Sequence, residues 1–419
     1  MLPSKRIVKN WAWYSVAAVM LLIVGWIASF AIEEGDLASD YIPNIAEVSA
    51  KIGNLPDTPE EWEGRIDYPA LEQQLAELSL RPEMAGLAVA VVEDGRISFV
   101  RTYGFADRST GALVGQQTVF RWASVSKTAT GILAAKLVDE GRINLDRPAS
   151  TWRSSLRLPG DAETRISVGQ IMSQQTGLTK NAYDERLEDG QNPRALRGSL
   201  AEAPLQCEPG TCHTYQNIAF DAASEILARA AKQPFDEAVH DRFFRPLGMV
   251  SARYGMAGLT NSSDWARPHN GQHVRQLKEA YWRVPAAAGI ESNIVDFARW
   301  MQAMMGEYPD VLPASVLKIA HAPRVKTGRL YGGDLRQANG DASYGLGWRS
   351  FSYNGLRLEG HSGAVDGYRA TMIFEPATRT GVVAMWNSNW GFPFRIPFAV
   401  IDSYHDRADS NWLDLSRLP

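Results

Sequence analysis

A chain of 419 residues, 45% apolar and 21% charged, holds enough hydrophobic sequence for one large globular domain or two moderate ones. Its formal charge of −4 at pH 7 supplies no basic surface, which excludes nucleic acid as a general partner. There is no internal repeat, no His-Glu-x-x-His, no Gly-x-Ser-x-Gly elbow and no phosphate-binding Gly-Lys-Ser/Thr loop.

Lys5, Arg6 and Lys9 precede an uncharged run from Asn10 to Ile32, and Glu33, Glu34 and Asp36 follow it as a solvated flank. Trp11, Trp13 and Tyr14 at one end, with Trp26 and Phe30 at the other, match interfacial belts. Residues 11–32 therefore read as a transmembrane anchor, with 1–10 in the cytoplasm and the remainder exported to a periplasmic or extracellular space. A cleaved signal peptide is the alternative, with Ser29-Phe30-Ala31 as its cleavage site and a secreted product. The polar, proline-containing residues 33–65 suit a linker.

Leu71 to Leu80 has helical apolar spacing. Gly86–Val92 and Arg96–Tyr103 read as strands of a hairpin turning at Glu93-Asp94-Gly95. The middle of the chain is helical in pattern, at 129–139, 167–174, 219–231, 235–244 and 293–305. Between Leu178 and Thr214 the sequence is polar and aperiodic, which reads as a loop over something functional. Inside it, "CEPGTC" holds both cysteines, Cys207 and Cys212, around a Pro-Gly turn. Export would favour a disulfide between them, and two free buried thiols are the alternative.

From Tyr344 the strand pattern returns in "YGLGWRSF", "LRLEGHS", "YRATMIF" and "GVVAMWN". Strands at both ends of a helical middle predict an α/β chain of the α+β type: one antiparallel sheet built from both chain ends, flanked by helices, with a helical lobe inserted over about 126–290. The domain is expected over 66–405, with 406–419 as a C-terminal tail.

Ser124 stands three residues before Lys127 in "FRWASVSKTATGIL", where a strand-like stretch gives way to a helix. Residues three apart on a helix share a face, so the amine can point at the hydroxyl. A serine needs such a base to become a nucleophile, and lysine is one only where burial or nearby positive charge keeps it uncharged. A second Ser-x-x-Lys, Ser315 to Lys318, lies in an amphipathic surface-helix pattern and lacks that setting.

Two further stretches complete a set: Tyr215-Gln216-Asn217, and His361-Ser362-Gly363 entering a strand-turn-strand. With these three motifs in order, the chain resembles the penicillin-recognising serine hydrolases, in particular the branch of class C β-lactamases, D,D-peptidases and family VIII esterases. The likeness extends over about 66–405 and includes "LVDEGRINLDRP", "RPLGM", "YGLGW" and "GVVAMWNSN". It implies a β-lactamase/transpeptidase-like fold and a catalytic set of Ser124, Lys127 and Tyr215. It further implies an oxyanion hole from the backbone N–H groups of Ser124 and Ala364, and substrate contacts from Asn217, His361, Ser362 and Gly363.

Lys326-Thr327-Gly328 spells the third motif of many lactamases, but no strand pattern enters or leaves it, so it is set aside. In relatives that bind penicillins or peptide C-termini a lysine stands where this chain has His361. A mostly neutral histidine is a weaker anchor for a carboxylate, so the sequence leans towards esters or amides without an obligatory carboxylate. Arg369 is close enough in sequence to restore a charge. His269 and His273 flank Asn270-Gly271, which favours a loop over a metal pair. Met301, Met304 and Met305 read as core filler.

The expectation is thus a membrane-anchored serine hydrolase acting through an acyl-Ser124 intermediate on a small-molecule or peptide substrate, with no metal or organic cofactor. Esterase or D-amino-acid peptidase/amidase activity ranks above β-lactamase activity. The alternative is a non-hydrolysing penicillin or peptidoglycan sensor, or an inactive scaffold of the same fold.

Overall fold

The computed structural model of the chain describes residues 64–407 and 411–417. The run at 11–32, its flank at 1–10 and all but the end of the 33–65 linker lie outside the described residues. No helix among the described residues is long and apolar enough to cross a membrane.

Helix α1 (Tyr68–Ser79) starts where the Asp67 side chain accepts the Ala70 N–H, and it buries Leu71, Leu75 and Leu78. The hairpin follows as β1 (Gly86–Glu93) and β2 (Arg96–Asp107). Asp94 and Gly95 both take positive φ, 50° and 82°, the turn geometry whose twist matches the flanking strands. A short β3 (Ala112–Leu113) pairs with the end of β2.

The chain then leaves the sheet for the lobe. Its small strands β4 (Phe120–Arg121), β5 (Arg253–Tyr254) and β8 (Ile290–Ser292) form one ribbon in the order β4-β8-β5. The strands β6 (His269–Asn270) and β7 (His273–Val274) form another, so the two histidines sit on a hairpin. The principal helices are α2 (Ser126–Asp139), α3 (Ala222–Ala231), α4 (Ile294–Met304) and α5 (Ala314–His321). The last two fall where the sequence shows helical spacing at 293–305 and an amphipathic pattern around Ser315 to Lys318, both beyond the 126–290 bounds expected for the lobe. The 178–214 stretch, read as a loop, contains short helices at Asp184–Glu188 and Pro193–Ser199.

The chain returns to the sheet with β9 (Val325–Thr327), β10 (Asn339–Tyr344), β11 (Arg349–Tyr353), β12 (Leu356–Val365), β13 (Tyr368–Glu375) and β14 (Thr380–Trp386), and α6 (Ile396–Tyr404) follows. The nine strands run in the order β3-β2-β1-β14-β13-β12-β11-β10-β9, antiparallel throughout. Among the described residues the first and last strands meet, β1 pairing with β14 with Leu87 opposite Trp386.

Both faces of the central strands are covered, which explains why "GLAVAVV" is apolar at every position. Ala88, Ala90 and Val92 face the helical lobe, while Leu87, Val89 and Val91 pack with α1 and α6. Full burial of each valine or leucine stabilises the fold by roughly 1.5–3 kcal/mol.

Two sequence expectations are corrected. Lys326 and Thr327 do lie in a strand, the edge strand β9, whose three residues are too few to show a period. The C-terminal stretch is no loose tail: Trp412 and Leu413 are buried, and the Trp412 indole N–H lies 2.7 Å from both the Tyr353 hydroxyl and Asp402 Oδ2.

Candidate active site

The Ser124 segment is fixed from behind. Trp122 is fully buried against Phe244, Phe297 and Trp300, and its indole N–H donates to Ser292 Oγ at 2.8 Å. Ala123 takes a left-handed φ of 49°, uncommon for a residue with a Cβ, and the chain turns through one 3₁₀ turn (Ala123–Val125) before α2 begins. That kink holds Ser124 at the mouth of the helix. The second motif, Ser315 to Lys318, lies on α5, where Ser315 Oγ donates to Asp139 at the surface.

Lys127, on the first turn of α2, is fully buried. Its Nζ donates to Asn217 Oδ1 at 2.7 Å, to the Ala287 carbonyl at 3.0 Å and to Ser124 Oγ at 3.3 Å. The 285–290 segment that supplies the carbonyl is stitched to α2. Thr130 Oγ1 donates to the Ala286 carbonyl at 2.7 Å, and the Ile290 N–H donates to Ser126 Oγ at 3.0 Å. Behind the amine, Gly347 carries φ 74° in the turn before β11, and its Cα lies so close to the Lys127 backbone that a Cβ would overlap the Lys127 carbonyl.

Tyr215 meets this amine through its ring, with Nζ 4.8 Å from the centroid. Gln216, buried between Tyr215 and Asn217, fixes both: its N–H donates to Gln174 Oε1 at 2.7 Å, and its Nε2 donates to the Thr179 carbonyl at 2.7 Å. Asn217 differs from the sequence expectation of a substrate contact alone. Its carbonyl faces Lys127, and its Nδ2 donates to Asp184 Oδ2 at 2.6 Å. The same carboxylate oxygen accepts from the Tyr281 hydroxyl at 3.3 Å, which also reaches Glu188 at 2.9 Å. Burial pushes the Asp184 carboxyl up to about 6, against the opposing effects of Asn217, Lys127 and Tyr281. Asp184 lies in the acidic stretch "YDERLED", and no spacing in the sequence sets it apart.

On the other wall, β12 passes so close to the nucleophile that a Cβ on Gly363 would stand 2.8 Å from the Ser124 nitrogen. Only glycine fits there, and Ala364 follows it. His361 is buried and turned into the wall: Nδ1 lies 2.7 Å from the Ser362 carbonyl and Nε2 lies 3.0 Å from the Tyr344 hydroxyl. A carbonyl requires Nδ1 to carry the proton, so Nε2 accepts from the tyrosine. Burial first, then the charges of Arg349 and Lys127, hold this imidazole well below its usual value and keep it neutral. Ser362 Oγ pairs with Thr371 Oγ1 at 3.0 Å.

Ser124, Tyr215, Asn217, His361, Ser362, Gly363 and Ala364 thus line one cavity of ≈ 550 Å³, with Lys127 beneath its floor. The aperiodic stretch supplies Lys180, Asn181, Asp184, Gln206 and His213, and the 280s supply Tyr281 and Ala288. Arg349, which the sequence reading passed over inside "YGLGWRSF", lines it too. Lys326 does not. Cys207 and Cys212 are joined in a disulfide with Cα atoms 6.4 Å apart, on the same stretch as Gln206. A larger cavity of ≈ 770 Å³ near the end of α2, lined by Arg142, Arg147, Trp152 and Arg324 among others, holds none of these motifs.

Residues 70–401 match the family model described as Beta-lactamase. A Beta-lactamase from Yersinia enterocolitica is 25% identical over 350 residues, covering 75% of this chain and 85% of its own. Protein flp of Staphylococcus aureus (strain MW2) is 23% identical over 311 residues, 73% of this chain but only 60% of its own length. The Unguisins hydrolase ungD' of Aspergillus campestris (strain IBT 28561) is 25% identical over 382 residues, covering 83% and 68%. In fold, the chain is similar to the octameric penicillin-binding protein homologue from Pyrococcus abyssi, with a TM-score of 0.72 at 19% identity over 82% of this chain and 78% of that one.

Proposed function

Because this chain belongs to the beta-lactamase family, we propose that it hydrolyses an ester or amide through an acyl-Ser124 intermediate. The observation that carries the reading is the buried amine of Lys127 within 3.3 Å of the Ser124 hydroxyl. In this scheme Ser124 Oγ attacks the substrate carbonyl carbon, and its proton passes to the Lys127–Tyr215 pair. The backbone N–H groups of Ser124 and Ala364 hold the developing oxyanion, where preorganised donors act most strongly. The leaving alcohol or amine departs with the proton, leaving an acyl-serine. Water then attacks the acyl carbon, the acid is released, and Ser124 recovers its proton.

Asn217 acts on Lys127 in this reading, with Asp184 orienting its amide. The class C-like branch, and esterase or D-amino-acid peptidase chemistry within it, is supported by the set Ser124, Lys127, Tyr215 with His361 in place of a cationic third motif. Export of the domain, anchored by residues 11–32, is supported by the charges flanking that run and by the Cys207–Cys212 disulfide.

Ser124→Ala should lose hydrolysis of an activated ester at least about a thousandfold while keeping the wild-type melting curve. Undiminished hydrolysis would refute the assignment. Labelling by one equivalent of ester with no further turnover would point to a sensor instead.

A further inference from the structure

Besides Ser124, the Lys127 amine has two acceptors from separate stretches of the chain, the Asn217 side chain and the Ala287 carbonyl. Asp221 is tied to both stretches. Its N–H donates to the Asn217 carbonyl at 3.0 Å, and its side-chain Oδ1 accepts the Ala286 N–H at 2.9 Å. Thr130 Oγ1, on α2, donates to the carbonyl of the same Ala286 at 2.7 Å. Ala286 is thus gripped at both its polar groups, one residue before the carbonyl that Lys127 uses.

Asp221 stands at the N-cap of α3, where an aspartate ordinarily accepts an N–H of the first turn, yet its side chain caps nothing there. It is only 1% exposed, and a carboxylate so deeply buried must be compensated. Its second oxygen meets that need: Arg197 Nη1 donates to Asp221 Oδ2 at 2.5 Å. Arg197 is itself fixed, donating through Nη2 to Glu225 Oε1 at 2.8 Å and through Nε to Ser155 Oγ at 2.7 Å. The carboxylate is therefore anchored on one oxygen and presents the other to Ala286. We propose that Asp221 is a positioning residue for catalysis, which fixes the Ala287 carbonyl through Ala286 and so holds the Lys127 amine against Ser124. This rests on the acyl-Ser124 reading and adds to it a side chain that does not line the cavity.

Displacing a reacting group by about 1 Å can cost roughly a hundredfold in rate. In Asp221→Asn a single oxygen faces two donors, and the charged guanidinium takes it from the Ala286 N–H. With p-nitrophenyl butyrate, kcat should fall about 10- to 100-fold while KM stays within about threefold. Adding Arg197→Met frees that oxygen, so the double variant should recover to within about fivefold of wild-type kcat. Thr130→Val releases the same residue from its other side and should show the same loss in kcat at constant KM. A double variant worse than Asp221→Asn would make the aspartate a support for the fold alone and overturn the positioning role. Wild-type kcat in both Asp221→Asn and Thr130→Val would also overturn it, and would leave the hydrolase reading standing wherever Ser124→Ala is inactive. Crystal structures of wild type and of Asp221→Asn, or of Thr130→Val should the first not fold, give a readout free of turnover. An Ala287 carbonyl moved out of hydrogen-bond reach of Lys127 sustains the inference even if no ester is hydrolysed, and an unmoved carbonyl sinks it.

Discussion

The Asn217 amide has two ends and two different neighbours, an amine on one side and a carboxylate on the other. Asp184 therefore decides which way the amide faces, and through it where the Lys127 amine is held. Since burial raises its carboxyl from 3.8 to about 6, Asp184 keeps its proton in the fold at a pH where an exposed carboxyl has lost it. Its contribution to stability is full below about pH 3.8 and is lost as pH rises through about 6, on the order of 1–3 kcal/mol. Asp184→Asn, neutral at every pH, should gain stability relative to wild type by that amount between pH 4 and 8, read from urea unfolding curves. Wild-type kcat is expected to fall on the acid side near pH 6 as Asp184 takes up its proton, and that limb should vanish in this variant, with a lower plateau. A variant that keeps both the limb and the pH-dependence of stability would rule Asp184 out.

Two glycines show how elements meet at the site. Gly347 puts the turn before β11 against the Lys127 backbone, and Gly363 puts β12 against the Ser124 nitrogen. Gly347→Ala meets both a positive φ and a blocked approach, so it should destabilise by about 1–3 kcal/mol and lower kcat at temperatures where the protein remains folded. Thermal melts with ester hydrolysis would check this; wild-type values in both would show that the turn can shift freely. Elements with a strong local signal were legible in the sequence. The Asp94-Gly95 turn, the continuous apolar run of β1 and the three-residue step from Ser124 to Lys127 each follow from local geometry. What stayed hidden depends on tertiary approach. Nothing local says that His361 turns into the wall, that Arg349 rather than Arg369 faces the cavity, or that three residues at 325–327 close the sheet.

At the scale of the whole molecule, the closing stretch of the chain is part of the core. Trp412 packs with Tyr353, Phe398 and Leu335 on the side of the sheet away from the catalytic cavity. Trp412→Ala should cost about 3–5 kcal/mol of stability. Any hydrolysis of an activated ester, per folded molecule, should stay unchanged, since none of these neighbours lines the cavity. A loss smaller than about 1 kcal/mol would mean that the indole is dispensable.

The pairing of β1 with β14 also sets a schedule for biosynthesis. About 300 residues separate Leu87 from its partner Trp386, so a ribosome adding 5–20 residues per second needs roughly 15 to 60 s to deliver the second after the first. Throughout that interval the nascent hairpin exposes a sticky edge with nothing to zip onto, and the polypeptide must wait, shielded or unravelled, until its last strands emerge.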